Sequence, residues 1–393
     1  MSKIGRIYIF LLMVYYCSSV LFGGDKHDMN NLYDNLIPKL SAGAFIAYNV
    51  YVYSYYNKVK IIEPINRFRS FSLLTFFSFL FFFLSTYSGL FYLSMYLKVL
   101  MWLVSLMVLY KHFTICRDEE VQKTSKYFCI IFIIGGLFSY LKELITFGEA
   151  TYGSGSCMYV IIPLIFLLFR GSKFLPYIIL IVLIISTASL MRKPLIISAI
   201  IVLMMYKELK KSMSIWTTMI IVVAFLSFLS IYVDSLIEKI MERMAEERDE
   251  GVYGSGRTVF WTLILEDFFY KCDILQQLLG NGYGSVLQLT QKKYGMPIGA
   301  HNGFIDCLYS YGYIGFIFYI SIFYGIMRKI KQIRRLNPYY AKILFVTIVM
   351  WFLQNCVYFG FDGPYMIAYS FIFAIVFSDL KKIADNYNNY SLE

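Results

Sequence analysis

Charged side chains are scarce in this sequence. Only 16% of the 393 residues are Asp, Glu, Lys or Arg, whereas 59% are hydrophobic and the mean hydropathy is +0.61. A soluble globular protein of this length needs more polar surface to face water. The composition therefore excludes a soluble domain and predicts a polytopic integral membrane protein.

Patterns typical of metal and redox sites are also scarce. The sequence has three histidines, and its seven cysteines include no C-x-x-C pair. Closely spaced cysteines and histidines are typical of zinc sites and redox motifs. We therefore predict no metal and no cofactor. A disulfide between Cys157 and Cys272 stays open, because both lie near segments predicted below to face the outer side of the membrane.

Long apolar runs recur along the whole chain. A transmembrane helix needs about 20 apolar residues, and these runs lack the alternation of a barrel strand. The sequence therefore predicts an all-α fold of about twelve transmembrane helices, although ten or eleven stay open because the sixth and eighth are short. The predicted spans are residues 4–22, 37–56, 71–87, 93–110, 127–147, 157–169, 174–190, 194–206, 215–233, 303–327, 341–359 and 365–380.

The net charge of +11 is better explained by membrane topology than by a nucleic-acid partner. Lysines and arginines cluster after every second predicted span, and the positive-inside rule assigns such loops to the cytoplasm. Both termini are then cytoplasmic, and the lipid bilayer is the predicted partner. Clusters that set this orientation include Lys58, Lys60, Arg67 and Arg69, then Lys207, Lys210 and Lys211, and then Arg328, Lys329, Lys331, Arg334 and Arg335.

One segment outside the predicted spans is long enough to carry a site. The positive-inside orientation places residues 234–302 on the outer side of the membrane, and a connection of this length is usually functional. We divide the chain into a membrane domain at 1–233 with spans one to nine, this outer loop at 234–302, and a membrane domain at 303–393 with spans ten to twelve and a cytoplasmic tail.

Helical patterns fill much of the outer loop. Apolar residues at helical spacing over 236–244 predict an amphipathic helix on the bilayer surface or a water-exposed extension of span nine. A second helix is predicted over 257–270. Arg257 would lie in its first turn, where a cation is unfavourable unless an anion docks there. An ordinary solvated arginine is the alternative.

A glycine-rich turn follows a third predicted helix at residues 273–279. Gly280, Gly282 and Gly284, with Tyr283 between the last two, can adopt the positive φ angles of a tight turn. Such a turn can punctuate the structure or cradle a phosphate.

His301 lies where the outer loop meets span ten. It follows the segment 297–300, which we expect to be flexible, and it precedes Asn302, a good helix cap. Its position at the edge of the bilayer favours a role as a general base. Asp306 is expected to be buried one turn inside the span, on the face of Asn302 rather than that of His301, and a buried ionisable group there needs a partner or a function.

Two cations depart from the charge rule. Arg192 and Lys193 fall in a predicted outer turn between spans seven and eight, and Pro194 starts the next helix. Cations at the outer interface suit the binding of lipid phosphate, and snorkelling towards headgroups is the alternative.

Several motifs occur in a fixed order between residues 186 and 325. They are a Ser-rich span end at 186–192 with Arg192, then Gly256-Arg257 with Trp261, then Leu279-Gly280-Asn281-Gly282-Tyr283-Gly284, then Ala300-His301-Asn302-Gly303, and then Gly312 and Gly315. In this order and spacing they resemble the O-antigen polymerase and ligase superfamily, in particular the Wzy-type O-antigen polymerases.

The resemblance implies a metal-independent, inverting glycosyltransferase of the membrane GT-C class that uses polyprenyl-pyrophosphate-linked oligosaccharides. It implies that Arg192 and Arg257 bind the pyrophosphate and that His301 is the general base. It also implies a bacterial inner membrane, a periplasmic outer loop, and a chain-length regulator and a flippase as partners. The residues expected to contribute to substrate binding are Lys193, Gly280, Gly282, Tyr283, Gly284 and Asn302.

Three other functions stay open. An O-antigen ligase would move a finished polymer to the lipid A core with similar residues. A transporter or flippase for lipid-linked oligosaccharides also suits about twelve spans, although such proteins usually carry charges near the midplane. A metal-using glycosyltransferase would place its ligands in the first outer loop, at Asp25, His27, Asp28 and Asp34.

A hydrolytic glycosidase is disfavoured because Glu266 and Asp267 are adjacent and do not face each other.

Overall fold

The computed structural model describes residues 2–22, 36–58, 90–147, 156–188, 192–220, 222–223, 241, 257–282, 284–295, 297–357 and 364–390. Within these ranges the chain is helical and contains no β-strand. The predicted third span lies outside the described residues. So do most of the ninth span and most of the amphipathic segment 236–244.

Helices account for nearly all of the described chain. A π-helical turn lies at Asp267–Lys271, directly after the α-helix Arg257–Glu266. The α-helices are α1 (Lys3–Phe22), α2 (Leu36–Lys58), α3 (Leu90–Ile115), α4 (Asp118–Phe147), α5 (Ser156–Leu168), α6 (Leu175–Ala188), α7 (Arg192–Met204), α8 (Tyr206–Ser212), α9 (Arg257–Glu266), α10 (Ile274–Leu279), α11 (Ser285–Tyr294), α12 (Gly303–Leu336), α13 (Pro338–Val357) and α14 (Pro364–Tyr390).

Three of the described helices are long and apolar enough to cross a membrane, namely those at Asp118–Leu141, Gly303–Leu336 and Pro338–Cys356. The expectation of an all-α membrane protein is confirmed at this level, and the number of twelve spans stays a prediction. Helices α5, α6 and α7 have 13, 14 and 13 residues. They are thus shorter than the roughly 20 residues that a full crossing needs.

Helix α14 is the centre of the membrane core. Every side chain from residue 366 to residue 376 is buried, as expected for a helix that is apolar on all sides. The Phe371 ring stacks on Phe128 of α4 at 3.7 Å between centroids and meets Phe113 of α3 edge-on at 5.3 Å. The Ser370 hydroxyl donates to the Trp102 carbonyl of α3 at 2.9 Å. Helices from both halves of the sequence therefore share one core.

Helix α12 joins this core to the outer loop. Its Tyr319 hydroxyl donates to Asn355 Oδ1 of α13, and Asn355 Nδ2 donates to the Trp351 carbonyl at 2.7 Å. Tyr319 and Asn355 are both fully buried, where polar groups need such partners. This contact holds α12 against α13. The loop helices pack on α12 nearer to its N-terminus.

A kink at Gly312 interrupts α12. Gly312 has φ 64° and ψ −169°, which is outside the helical region. The carbonyls of Tyr309 and Ser310, just before the kink, accept hydrogen bonds from the backbone N–H groups of Asn281 and Gly282, each at 3.0 Å. Because backbone groups without partners are costly at membrane depth, this pairing fixes the glycine turn of the outer loop on α12.

The backbones of the turn and of the kink touch directly. A Cβ atom added at Gly312 would lie 2.5 Å from the Leu278 carbonyl oxygen and 2.5 Å from the Gly280 nitrogen. One added at Gly280 would lie 2.3 Å from the Ser310 carbonyl oxygen. Both glycines also have positive φ. Only glycine satisfies both conditions, since any side chain would separate the two backbones.

We expect Gly312→Ala to detach the loop from α12. The backbone conformation of Gly312, with φ 64° and ψ −169°, is essentially restricted to glycine and costs other residues about 1–3 kcal/mol, and the added methyl group clashes with backbone atoms that cannot rotate away. The protein in detergent should lose thermal stability and become susceptible to protease in the loop.

Gly325 of the same helix provides the matched control, because an added Cβ would meet nothing within 4 Å. Gly325→Ala should leave the melting temperature unchanged or raise it slightly, since alanine favours a helix by up to about 1 kcal/mol. Equal melting temperatures for the two variants would contradict the proposed contact.

Candidate functional site

Helix α9 carries the first predicted site residue. It begins at Arg257, which is half-buried, and with the π-helical turn it extends to Lys271. The helix predicted over 257–270 is therefore confirmed. The π-helical turn was not predicted. It is marked by the Cys272 N–H, which donates to the Asp267 carbonyl at 3.0 Å.

The π-helical turn points Asp267 at α12. Asp267 Oδ2 accepts from the Tyr309 hydroxyl at 2.7 Å, and its Oδ1 pairs with Lys271 at 3.2 Å. Glu266 is exposed on another side of the helix. The two acids therefore form no facing carboxylate pair of the kind that glycoside hydrolysis uses.

A hydrogen bond joins α9 to the segment that carries His301. The Trp261 indole N–H donates to the Ala300 carbonyl at 2.6 Å. Arg257 and Trp261 are four residues apart, so they share one face of α9. The bond therefore brings the face that begins with Arg257 against the residue that precedes His301.

The segment before His301 is held more firmly than the sequence suggested. The Ile298 N–H donates to Thr290 Oγ1 of α11 at 2.8 Å, and this hydroxyl also contacts the Ile298 carbonyl. Ala300 is buried and bonded to Trp261. The expectation of a flexible segment at 297–300 is wrong, because α11 and α9 anchor it from two sides.

Helix α11, at Ser285–Tyr294, was missed by the sequence analysis. Its signals were present: Lys292 and Lys293 lie in its last turn, and Gly295 ends it with φ 74°. Cations and a left-handed glycine are common at helix C-termini. The helix completes a small loop core consisting of the buried residues Ile264, Phe268, Val286, Ala300 and Tyr309.

His301 has an unusual backbone conformation. Its φ is 50°, and it is the one non-glycine residue with positive φ among those the structure describes. Such a conformation costs about 1–3 kcal/mol and persists when surrounding contacts impose it. Here the contacts are the Trp261 bond on one side and the helix cap of Asn302 on the other. The imposed conformation sets the direction of a half-exposed imidazole.

The predictions for the start of α12 are confirmed. Asn302 caps the helix, because its Oδ1 accepts from the N–H groups of Phe304 and Ile305 at 3.0 and 3.2 Å. Asp306 is buried one turn later, with 4% of its surface exposed, and its Oδ1 accepts from the Ser310 hydroxyl at 3.1 Å. A carboxylate thus lies just inside the helix that follows His301.

The backbone N–H groups of the glycine turn donate to protein carbonyls and hold the turn in place. The N–H of Gly280 donates to the Gln276 carbonyl at 2.7 Å, and those of Asn281 and Gly282 donate to α12. These three N–H groups are therefore not available to an anion. Gly284, with φ 80°, is the N-cap residue that precedes α11, and Tyr283 lies outside the described residues. The substrate-binding role of the turn stays a prediction, and it would have to involve other atoms.

Cys272 packs behind the same turn as a free thiol. The Asn281 side-chain amide donates to its Sγ at 3.2 Å, and burial raises the pKa of the thiol. The disulfide with Cys157, which the sequence left open, is therefore not formed.

Arg192 and Lys193 belong to helix α7. Helix α7 begins at Arg192, so both residues belong to its first turn and not to a connecting turn before Pro194. This corrects the predicted start of the eighth span by two residues. The side chains of Arg192 and Lys193 lie outside the described residues, so their roles in binding stay predictions.

The Trp261–Ala300 bond brings α9, which carries the half-buried Arg257, against the junction that carries the half-exposed His301 and, one turn later, the buried Asp306. Such a set can accept a proton and stabilise an anion. A comparison with models of protein families gives no match to this sequence, and a comparison with curated proteins gives none.

We expect Trp261→Phe to loosen the segment around His301. The variant keeps an aromatic ring but leaves the buried Ala300 carbonyl without its donor, which costs about 1–3 kcal/mol. Amide hydrogen exchange at 298–302 should become faster.

Trp216→Phe is the control, since Trp216 is 72% exposed. It should leave exchange at 298–302 unchanged. If Trp261→Phe exchanged at the rate of the unmodified protein, the bond would not be what holds the segment.

Proposed function

We propose that this protein is an O-antigen repeat-unit polymerase, a membrane glycosyltransferase of the GT-C-like class. It would transfer a growing glycan from polyprenyl pyrophosphate to a terminal sugar hydroxyl of another lipid-linked repeat. The observation that carries the proposal is the Trp261–Ala300 hydrogen bond. It joins the helix that begins with Arg257 to the residue before His301, as a site with an anion binder and a base requires.

The reaction needs a base for the acceptor. In the proposed mechanism, the imidazole of His301 removes the proton of the acceptor hydroxyl while the hydroxyl oxygen attacks the anomeric carbon of the donor glycan. The bond from that carbon to the pyrophosphate oxygen breaks, and attack from the opposite face inverts the configuration. A neutral imidazole near pH 7 suits this step, and general bases contribute roughly 10²–10⁴-fold to rates.

The reaction also needs charge stabilisation for the leaving group. Polyprenyl pyrophosphate departs without a proton donor when its charge is held. Arg257 is the first residue of α9, and Arg192 is the first residue of α7. Helix starts present free N–H groups and a positive dipole end, which reinforce a bound phosphate. In the proposal both guanidinium groups bind the pyrophosphate, and Lys193 adds a further cation.

Asp306 would support the base. When His301 takes the proton it becomes a cation, and a carboxylate in the first turns of α12 favours that charge. The buried position of Asp306 strengthens such an interaction, because the surrounding dielectric is low. We assign Asp306 a positioning role and leave proton transfer to His301.

The proposal includes a topology. The protein would lie in a bacterial inner membrane with about twelve spans, both termini in the cytoplasm and the loop 234–302 in the periplasm, where lipid-linked repeats are polymerised. A flippase would supply the repeats, and a chain-length regulator would act with the polymerase. The cation clusters that follow alternate spans support this orientation.

We expect His301→Ala to abolish polymer formation without loss of protein from the membrane. The rate of polymerisation of a purified lipid-linked repeat should fall about 10²–10⁴-fold, since the acceptor would lack its base. The measurement is the length distribution of the product, with and without a chelator.

His27→Ala is the matched control, because His27 is the other histidine predicted to face outwards. It should retain activity. Loss of activity both in His27→Ala and with chelator, and not in His301→Ala, would favour a metal-using enzyme. In cells, loss of a polymerase should leave surface lipid that bears one repeat, whereas loss of a ligase should leave none.

We expect Arg257→Ala to impair activity more than Arg257→Lys, with the larger difference in kcat. Lysine keeps the charge but loses the paired N–H groups that bind phosphate oxygens. Lys292→Ala removes one positive charge from an exposed position of the same loop and should leave activity unchanged. Equal losses in the two Arg257 variants would argue against bidentate binding, and an equal loss in Lys292→Ala would indicate a nonspecific charge effect.

A further inference from the structure

A second cluster of chemically active side chains lies away from the candidate site. His112 is in the last turn of α3, Cys116 follows that helix, and Glu120 is in the first turn of α4. His112 is buried, with 3% of its surface exposed, and the other two are half-buried. One atom from each residue, a ring nitrogen, Sγ or a carboxylate oxygen, lies within 4.8 Å of the other two.

Two of the three distances within this cluster match the spacing of ligands around a metal ion. Cys116 Sγ lies 3.5 Å from His112 Nε2, and Glu120 Oε1 lies 3.8 Å from the same nitrogen. Tetrahedral zinc, with bonds of about 2.0–2.3 Å, holds its ligand atoms roughly 3.3–3.8 Å from each other. Small side-chain movements would therefore suffice to surround an ion.

A fourth residue sets the orientation of the imidazole. The Tyr56 hydroxyl of α2 lies 2.6 Å from His112 Nδ1. When Nδ1–H donates to that oxygen, the lone pair is on Nε2, which is the nitrogen that faces Glu120. Histidine ligands of metals usually have such a partner on their other nitrogen.

We propose that His112, Cys116 and Glu120 form a zinc-binding site. A neutral imidazole, a thiolate and a carboxylate are all accepted ligands of Zn²⁺, and the two negative charges balance the ion. Three protein ligands leave the fourth position for water. Binding releases the thiol proton of Cys116 to solvent, so affinity increases with pH.

A simple ion pair explains less of the cluster than zinc does. A pair between His112 and Glu120 would need neither the thiol next to the imidazole nor the Tyr56 contact. Lys382 lies nearby, but it donates to the Cys116 carbonyl at 2.8 Å and to Asp118 at 2.9 Å and so leaves the thiol to other partners. The positive-inside pattern assigns this end of α3 to the cytoplasm, where thiols stay reduced.

The site would fasten several elements together. The ion would link the end of α3 to the start of α4, and Tyr56 would extend the link to α2. The backbone N–H of Ser2, just before α1, donates to Glu120 Oε1 at 2.6 Å. The ion would thus hold these elements together, and this role is independent of the proposed glycosyl transfer.

The test measures zinc and cobalt binding by the full-length protein, purified without a polyhistidine tag. The unmodified protein should retain zinc through dialysis, and Co²⁺ added to the stripped protein should give a thiolate-to-metal charge-transfer absorption. Cys116→Ser should lose this absorption. His112→Gln and Glu120→Gln should each weaken zinc binding at least tenfold, and Tyr56→Phe should weaken it roughly 10–100-fold.

Two controls keep the result interpretable. Cys356→Ser removes another half-buried free thiol and should bind both metals as the unmodified protein does. Glu120→Gln keeps an oxygen that can accept from Ser2, so it should remain folded in size-exclusion chromatography while binding weakens. Failure of the unmodified protein to bind zinc would overturn the proposal. So would an unchanged cobalt spectrum in Cys116→Ser.

Discussion

The candidate site depends on how the kink in α12 satisfies its backbone. Gly312 breaks the helical hydrogen-bond pattern, and the carbonyls of Tyr309 and Ser310 take their donors from the glycine turn of the outer loop. Such carbonyls must be paired where water is excluded, so the loop and the helix form one unit. The Tyr309–Asp267 hydrogen bond and the loop core around Phe268 and Ala300 then add side-chain contacts between α9, the segment before His301 and the membrane helix.

From that anchor, a few specific contacts build the site. Trp261 holds Ala300, Thr290 holds Ile298, and Asn302 caps α12. These contacts impose a left-handed backbone on His301. The site is therefore held by these few contacts around one strained residue, an arrangement that presents an imidazole in a fixed direction before any substrate arrives.

Local signals predicted much of this region correctly. The helix from Arg257, the short helix that ends at Gly280, the Asn302 cap and the burial of Asp306 all follow from residues within a few positions of each other. Features that join distant parts of the chain were not predicted. The residues of the glycine turn suit the binding of a phosphate, but the N–H groups of Asn281 and Gly282 donate to carbonyls 28 residues further on.

The sequence by itself determined that the protein is helical, that it belongs in a membrane and where many helices begin and end, because hydropathy and capping act over short distances. Only the tertiary structure decided which groups meet. It paired the glycine turn with the Gly312 kink and placed Trp261 on Ala300. It also kept His112, Cys116 and Glu120 close together, although the chain breaks between α3 and α4. Hydrogen-bond partners and metal ligands are chosen by proximity in space, and proximity follows from the packing of the whole chain.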